Sequence, residues 1–527
     1  MSALNWGNVI VALDNMDKQK VKELIHDTKS GSWENVSSKF NDLLSFEWMT
    51  GVKEIIEELK SDWIETDLLQ LMLDPKWNDI PNTIQNYITK LDKSWLWENT
   101  KLLTLMASGW YDMMKAAVDK RNELWMSTKL LAVTVLTTLG DKWAQKVYGD
   151  NVKHAVLKLA KDALAAGIDW IVCSPQEATM LRAVYGDDFL IVTPGIRLAD
   201  NKVENDDQNR IDTPEGAIKN GSTHLVIGRP ITQAADKGAA LKEILNSIDG
   251  VQREEINKDV FSFEKILYTG SMEDLLKYIG AIYIRPENWA YVRLASGLLS
   301  NGYVNIGVAE RNPYVLERAT SELSTQLSEK NIKADVVMGA QMWSIRLSSH
   351  LAKSMWIEES IYTEKTMTKG MEELKAELFN VFTHQHPQGI GSEKDVKDFA
   401  QYVINEYEKA SNDMALKRHD IDLKGKSVII SEDVITKATT SRKMIEIVQK
   451  AWGIVVGVTC LANRTWEDNI DGIPLLTTYT PAPFELYHDD KTPAEAVKNN
   501  PPIPEVATKV EKPKAEWNTL VQSMRNN

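Results

Sequence analysis

Leu73-Asp74-Pro75-Lys76-Trp77-Asn78-Asp79-Ile80-Pro81-Asn82-Thr83 is the stretch on which the reading of this chain turns. An apolar run (Leu68, Leu69, Leu71, Met72, Leu73) leads into Asp74 and Lys76, two positions apart, and then Asp79. Residues i and i+2 at the end of a strand point to the same side. Asp-x-Lys-x-x-Asp beside a strand end is therefore a compact array of alternating charges. On spacing alone a solvated turn accounts for it equally well, since charged residues are mostly exposed. The neighbouring sequence decides between the two.

Upstream, Val9-Ile10-Val11-Ala12-Leu13-Asp14 is a β-branched run ending in a carboxylate. A helical pattern follows (Val21, Leu24, Ile25), then Lys39 in Ser-Ser-Lys-Phe, then a helix near 52–60. Downstream apolar runs fall at Leu102–Met106, Leu130–Leu136, Trp170–Cys173, Phe189–Val192 and His224–Ile227, most of them followed by a helical segment. Strands alternating with helices predict a parallel sheet, and about eight such units in about 245 residues suit a (β/α)8 (TIM) barrel. Active sites in that fold lie at the C-terminal strand ends, where Asp14, Lys39, Asp74, Lys76 and Thr137 fall. The later segments Val192-Thr193-Pro194-Gly195-Ile196-Arg197, Asp207-Gln208 and Val226-Ile227-Gly228-Arg229-Pro230 supply glycine for close backbone approach and arginine forks suited to phosphate.

Taken together, these segments resemble the orotidine 5′-monophosphate (OMP) decarboxylases over roughly residues 6–245. The resemblance implies cofactor-free decarboxylation of OMP to UMP. It casts Lys39, Asp74, Lys76 and Asp79 as the catalytic charged network, with Asp79 reaching in from a partner subunit. Asp14 would bind substrate hydroxyls and Thr137 the pyrimidine, while Arg197, Gln208, Gly228 and Arg229 would hold the phosphate. Asp79 and Thr83, shared across subunits, imply at least a homodimer.

The chain has 527 residues, 43% hydrophobic and 26% charged, with 61 Lys+Arg against 75 Asp+Glu. Several domains are expected at that length. A net charge of −14 without a long basic run argues against a nucleic-acid partner. Cys173 and Cys460 are too few for a disulfide framework. No signal peptide and no 18-residue apolar run is read, so a cytoplasmic location and no membrane span are expected.

Residues 1–250 are assigned to the barrel, 251–262 to a linker in a polar, helical stretch (236–262), and 263–490 to a second domain. Its sharpest motif is Lys426-Ser427-Val428-Ile429-Ile430-Ser431-Glu432-Asp433-Val434-Ile435-Thr436-Lys437-Ala438-Thr439-Thr440-Ser441. This reads as a buried strand, two adjacent acids, and a hydroxyl-rich turn opening a helix. Carboxylates can grip ribose hydroxyls while loop amides and a helix N-terminus hold a phosphate; a plain helix N-cap is the simpler alternative. The wording resembles the phosphoribosyl pyrophosphate (PRPP) motif of type I phosphoribosyltransferases, a Rossmann-like α/β fold. Ser296-Gly297, Glu364-Lys365, Lys417-Arg418-His419 and Asn463-Arg464 narrow the resemblance to orotate phosphoribosyltransferase.

That resemblance implies a catalytic Lys365, with Arg418 also on pyrophosphate, Arg464 facing orotate, and Ser296, Glu432, Asp433, Thr436, Lys437, Ala438, Thr439 and Thr440 binding substrate. Mg²⁺ would be held through PRPP rather than by side chains alone. Two departures stand out: Ala438 replaces a usual glycine, and Ala295 a frequent lysine. Residues 366–413 form a long charged insertion, in which His384 and His386 read as solvated rather than ligating. The tail, 491–527, is Pro- and Lys-rich with a short helix near 516–524.

The whole resembles the bifunctional UMP synthases, which make OMP from orotate and PRPP and then decarboxylate it. The alternatives are an active decarboxylase with a PRPP- or nucleotide-binding module behind it, and a Mg²⁺-dependent sugar-phosphate barrel using the same charge cluster. Composition adds one expectation. Glycine is 27 of 527, against roughly 37 at average usage, while Trp, at 17, exceeds Tyr at 15 and Phe at 9. Trp48, Trp110, Trp170, Trp343, Trp356 and Trp452 fall where the resembled families carry glycine, as if UGA codons for glycine had been read as tryptophan.

Overall fold

The computed structural model describes residues 9–14, 16–29, 36–41, 48–61, 70–94, 96, 99–198, 210–286, 290–294, 297–340, 344–366, 413–415, 421–493, 497, 500–503, 509–510 and 517–518. The chain divides into two compact units, Met1–Thr269 and Gly270–Asn527.

In the first unit eight strands close a barrel: β1 (Val9–Ala12), β2 (Val36–Phe40), β3 (Leu71–Trp77), β4 (Thr100–Met106), β5 (Lys129–Val133), β6 (Trp170–Val172), β7 (Leu190–Thr193) and β8 (His224–Ile227). Each pairs in parallel with the next, and β8 returns to β1 with Val9 opposite Leu225. Parallel strands are covered on both faces, which is why most of them read as nearly continuous apolar runs, β2 (Val-Ser-Ser-Lys-Phe) being the exception. Ile10, Met72, Leu102, Leu131, Val172, Val192 and Val226 pack together in one buried cluster. The helices between strands are fixed at their ends by local chemistry. Asn151 accepts from the His154 amide at 3.0 Å to start Val152–Ala166, and Ser174 and Glu177 form a reciprocal capping box on Pro175–Tyr185.

Three sequence expectations are corrected here. Residues 236–262 are not helical throughout. The helix Lys237–Ile248 ends at extended Asp249 and left-handed Gly250, and helical structure resumes only at Lys258. Trp170, one of the expected glycine positions, is buried in β6 with its ring 4.7 Å from His224, and nothing in its extended backbone requires glycine. Finally, Asp74 and Lys76 do not follow regular alternation. Lys76 has φ +48° and the β3–β4 register shifts between Leu73 and Trp77, so the chain bulges at Pro75-Lys76.

The second unit is built on a six-stranded sheet in the order Glu359–Tyr362, Val336–Gly339, Ser427–Ile435, Ile454–Asn463, Ile473–Tyr479, Asn469–Ile470, parallel except for the last pair. Alternate residues of the central strands face opposite sides. Val428 and Ile430 meet Met444, Ile445 and Val448 of the helix Thr439–Lys450. Ile429 and Val337 meet Leu323, Leu327 and Leu351 of two helices on the other side. The strands Glu364–Thr366 and Asp413–Ala415 pair antiparallel, with Thr366 opposite Asp413, so the two ends of the long insertion are tied together. His384, His386 and about two thirds of the tail lie outside the described residues. Among the described residues, no helix is long and apolar enough to cross a membrane.

Candidate active site

The C-terminal ends of the barrel strands surround a cavity of about 840 Å³. Asp14 follows β1, Lys39 lies within β2, Asp74 and Lys76 end β3, Thr137 follows β5, and Gly228-Arg229 follows β8; all of them line it, as does Arg197. The bulge at Lys76 turns its side chain back over Asp74. Lys76 Nζ donates to Asp74 Oδ2 at 2.7 Å, Lys39 Nζ lies 3.1 Å from the same oxygen, and Lys39 also donates to Asp14 at 2.8 Å. Asp74 is only 4% exposed. The result is an alternating chain Asp14–Lys39–Asp74–Lys76 at the cavity wall.

Burial opposes the charged form of Asp74. The attraction of Lys39 and then Lys76, with hydrogen bonds from Lys76 and Thr104, outweighs it and holds the carboxyl below its ordinary value. For Lys39 burial likewise opposes charge, and Asp74 and Asp14 outweigh it, raising the ammonium above its ordinary value. An isolated buried carboxylate would protonate instead. This one stays ionised because it is paired on both sides.

Two members of the network were not legible as site residues. Thr104, fully buried in β4, donates to Asp74 Oδ1 at 2.8 Å and accepts from the Lys76 amide at 3.0 Å. Its signal was a single hydroxyl inside the apolar run Leu-Leu-Thr-Leu-Met. Asn41, just past β2, lies 3.4 Å from Asp74 Oδ2 and lines the cavity; its position one residue beyond a barrel strand was the available sign. Asp79 and Thr83 stand apart from this cavity. Asp79 is exposed and accepts from the Ile80 amide at 2.7 Å, ahead of the helix Pro81–Asp92 that carries Thr83. Gln208 lies outside the described residues. A side chain at Gly228 would meet only ordinary contact with Ala12, so barrel packing by itself does not demand that glycine.

In the second unit, Glu432 and Asp433 project past Ser431, which pairs with the last residue of the neighbouring strand, Gly339. The chain crosses to opposite sides of Val336–Gly339 here, the type of switch point at which open α/β sheets bind ligands. Glu432 accepts a short hydrogen bond from Ser441, while burial and the adjacent Asp433 push its carboxyl up to about 7. Ala438 starts the helix Thr439–Lys450 at φ +52°, a left-handed conformation that glycine adopts more readily than alanine. Thr436, Lys437 and Thr439 are exposed along the loop and Thr440 is half-buried.

Arg464 stacks over Phe484 at 5.2 Å and interacts with Tyr303, which also feels Asp433. Glu310, not singled out from the sequence, is buried beside Asp433 and pushed up to about 8 by burial and then by that charge. Among the described residues, no group of three or more His, Cys, Asp or Glu side chains could hold a metal. A Mg²⁺ shared with phosphates takes one or two carboxylates, which the Glu432-Asp433 pair can offer. Ala295, Ser296 and Arg418 lie outside the described residues, and Lys365 is described only as a backbone position in its strand.

A profile of the orotidine 5′-phosphate decarboxylase / HUMPS family matches residues 7–244. Orotidine 5′-phosphate decarboxylase of Idiomarina loihiensis is 42% identical over 200 residues, 37% of this chain and 84% of the relative. The Prochlorococcus marinus decarboxylase is 36% identical over 249 residues, 46% of this chain and 95% of the relative. The solved Leishmania donovani UMP synthase aligns over 90% of both chains at 16% identity with a TM-score of 0.34.

Proposed function

The chain belongs to the orotidine 5′-phosphate decarboxylase family, and from that premise we propose that it is bifunctional, with the second unit making from orotate and PRPP the OMP that the barrel decarboxylates. The observation that carries the decarboxylase half is the buried Asp74 carboxylate gripped between Lys39 and Lys76 beside the cavity. With OMP phosphate toward Arg197 and Arg229, the substrate carboxylate would lie against Asp74. Like charge raises the ground state there. The bond from C6 to the carboxyl carbon breaks, CO₂ leaves, and the electron pair remaining on C6 is stabilised by the Lys76 ammonium, which then delivers its proton to C6. Lys39 keeps Asp74 ionised throughout, Asp14 accepts from ribose hydroxyls, and Thr137 bonds the pyrimidine. No step calls for a metal.

The transferase reading is supported by the Glu432-Asp433 pair at a sheet switch point, by the left-handed loop at Ala438, and by Arg464 nearby. Glu432 and Asp433 would bind the ribose hydroxyls of PRPP, loop amides of 436–440 its 5′-phosphate, and Arg464 the orotate carboxylate. Mg²⁺, when bound with PRPP, supplies neutralisation of the pyrophosphate charge. A homodimer is supported by Ile80, 62% exposed beside Asp79, with exposed Tyr111 on the adjacent helix. No nucleic acid or membrane partner is proposed.

The test is to supply the full chain with orotate, PRPP and Mg²⁺. UMP and CO₂ are expected. Conversion of supplied OMP with no product from orotate would leave only the decarboxylase and overturn the bifunctional reading.

A further inference from the structure

The hydroxyl of Thr104 occupies a junction that the proposed chemistry leaves without a role. Lys39 and Lys76 both act on Asp74 Oδ2, whereas Oδ1 accepts from Thr104 at 2.8 Å. The same oxygen of Thr104 accepts from the Lys76 backbone N–H at 3.0 Å, at the residue whose φ is +48°. One hydroxyl thus fixes the rotation of the carboxylate and anchors the bulge that aims the lysine. We propose that Thr104 is a positioning residue for decarboxylation, holding Asp74 and Lys76 in mutual register while touching no substrate. This rests on the reading of Lys76 as proton donor.

Thr104→Val keeps the shape and removes the hydroxyl. It should lower kcat for OMP roughly 10- to 100-fold, since small misplacements of reacting groups act on that scale, and leave KM nearly unchanged. Thr104→Ser should restore kcat. Unaltered kcat in the valine variant, or a serine variant as impaired as the valine one, overturns the proposal. Lys76→Ala is measured alongside: if it still decarboxylates, the reading of the charged array fails first and the role of Thr104 with it.

Backbone geometry and side-chain exposure carry a second inference independently of the first. Among the described residues nine non-glycine positions have positive φ, and five are tryptophan: Trp110, Trp125, Trp356, Trp452 and Trp466. Asn331 and Asp471 are types that tolerate this region, and Lys76 and Ala438 belong to the two sites. The tryptophans share no such excuse. Three of them end helices in one recurrent motif, in which the N–H of C′ bonds three residues back and the next N–H five back.

Among the described residues Gly167, Gly221 and Gly280 occupy C′ in that motif, as does Asn331; Trp125, Trp356 and Trp452 occupy it with the same bonds, 2.9–3.2 Å. The three indoles fill nothing: they are 92%, 93% and 77% exposed. Trp110, at φ +50° and ψ 179°, lies near a region essentially restricted to glycine. We infer that glycine is the native residue at positions 110, 125, 356, 452 and 466, through UGA codons read as glycine by the source.

Peptides spanning 125, 356 and 452, from protein made in the source cells, should carry glycine by mass spectrometry. Tryptophan there, or UGG at those codons, overturns the inference. In the chain as written, Trp125→Gly, Trp356→Gly and Trp452→Gly should each raise Tm by roughly 2–4 °C, whereas Trp517→Gly should lower it, because that indole is buried and donates to Gly280 at 2.7 Å. A fall in Tm at the first three sites also overturns it.

Discussion

A single carboxylate shows how burial and pairing together fix a charge. Asp74 stays ionised because two lysines flank it, and removing one of them should be felt as lost chemistry in that unit alone. Lys76→Ala is therefore expected to abolish decarboxylation of OMP and to leave OMP formation from orotate intact, with Asp433→Asn doing the reverse; assays of the two half-reactions on each variant check this. Loss of both activities from either change in a folded chain would contradict two independent sites. Glu310 is the opposite case. Burial, then Asp433, raise its carboxyl from 4.5 to about 8, and its Oε1 has no hydrogen-bond partner among the described residues. A raised folded value means the folded state holds the proton more tightly. The stabilisation is complete below about pH 4.5 and is lost as pH climbs through about 8. Glu310→Gln removes that titration, so the Tm of the variant minus that of the parent should be larger at pH 8 than at pH 5. A difference independent of pH would show that the carboxyl does not titrate as its surroundings dictate.

At the level of elements, the loop opening Thr439–Lys450 carries an alanine in a left-handed conformation. An L-residue there costs on the order of 1 kcal/mol relative to glycine. Ala438→Gly should raise stability by about that much in chemical denaturation and, if the loop cradles the PRPP phosphate, lower the KM for PRPP. Unchanged stability would mean the loop relaxes around alanine. Most barrel strands were legible because parallel strands buried on both faces leave nearly continuous apolar runs, as Leu130–Val133 and Leu225–Ile227 do, whereas β2, Val-Ser-Ser-Lys-Phe, leaves none and only Lys39 marked it. The sheet strand Ser427–Ile435 was legible for the same reason. The bulge at Pro75-Lys76 was not. Alternation places Asp74 and Lys76 on one side, but it is the left-handed turn at Lys76 that brings Nζ to within 2.7 Å of Asp74. Thr104 and Glu310 were missed because their importance lies in contacts across strands and loops far apart in sequence. Gln208 and Arg418 lie outside the described residues.

For the molecule as a whole, the two half-reactions should differ in their need for metal. The decarboxylation proposed here draws every charge from side chains, whereas transfer from PRPP needs a dication on pyrophosphate. EDTA should stop OMP formation and spare OMP decarboxylation in the same preparation; chelator-sensitive decarboxylation would favour the sugar-phosphate barrel chemistry instead. Assembly offers a sharper test. In one chain Asp79 is exposed and lies apart from the cavity holding Asp14, Lys39, Asp74 and Lys76. If it completes the site of a partner, Asp79→Ala and Lys76→Ala chains are each inactive alone but complement each other. In a mixed dimer the site formed by the Asp79→Ala chain keeps its own Lys76 and receives Asp79 from the Lys76→Ala chain. The other site lacks both. Co-refolded in equal amounts, random pairing makes half of the dimers mixed, each with one intact site of two, so about a quarter of wild-type decarboxylation should return. Activity no greater than the sum of the separate variants would place Asp79 outside the reaction and leave the barrel working as a single chain.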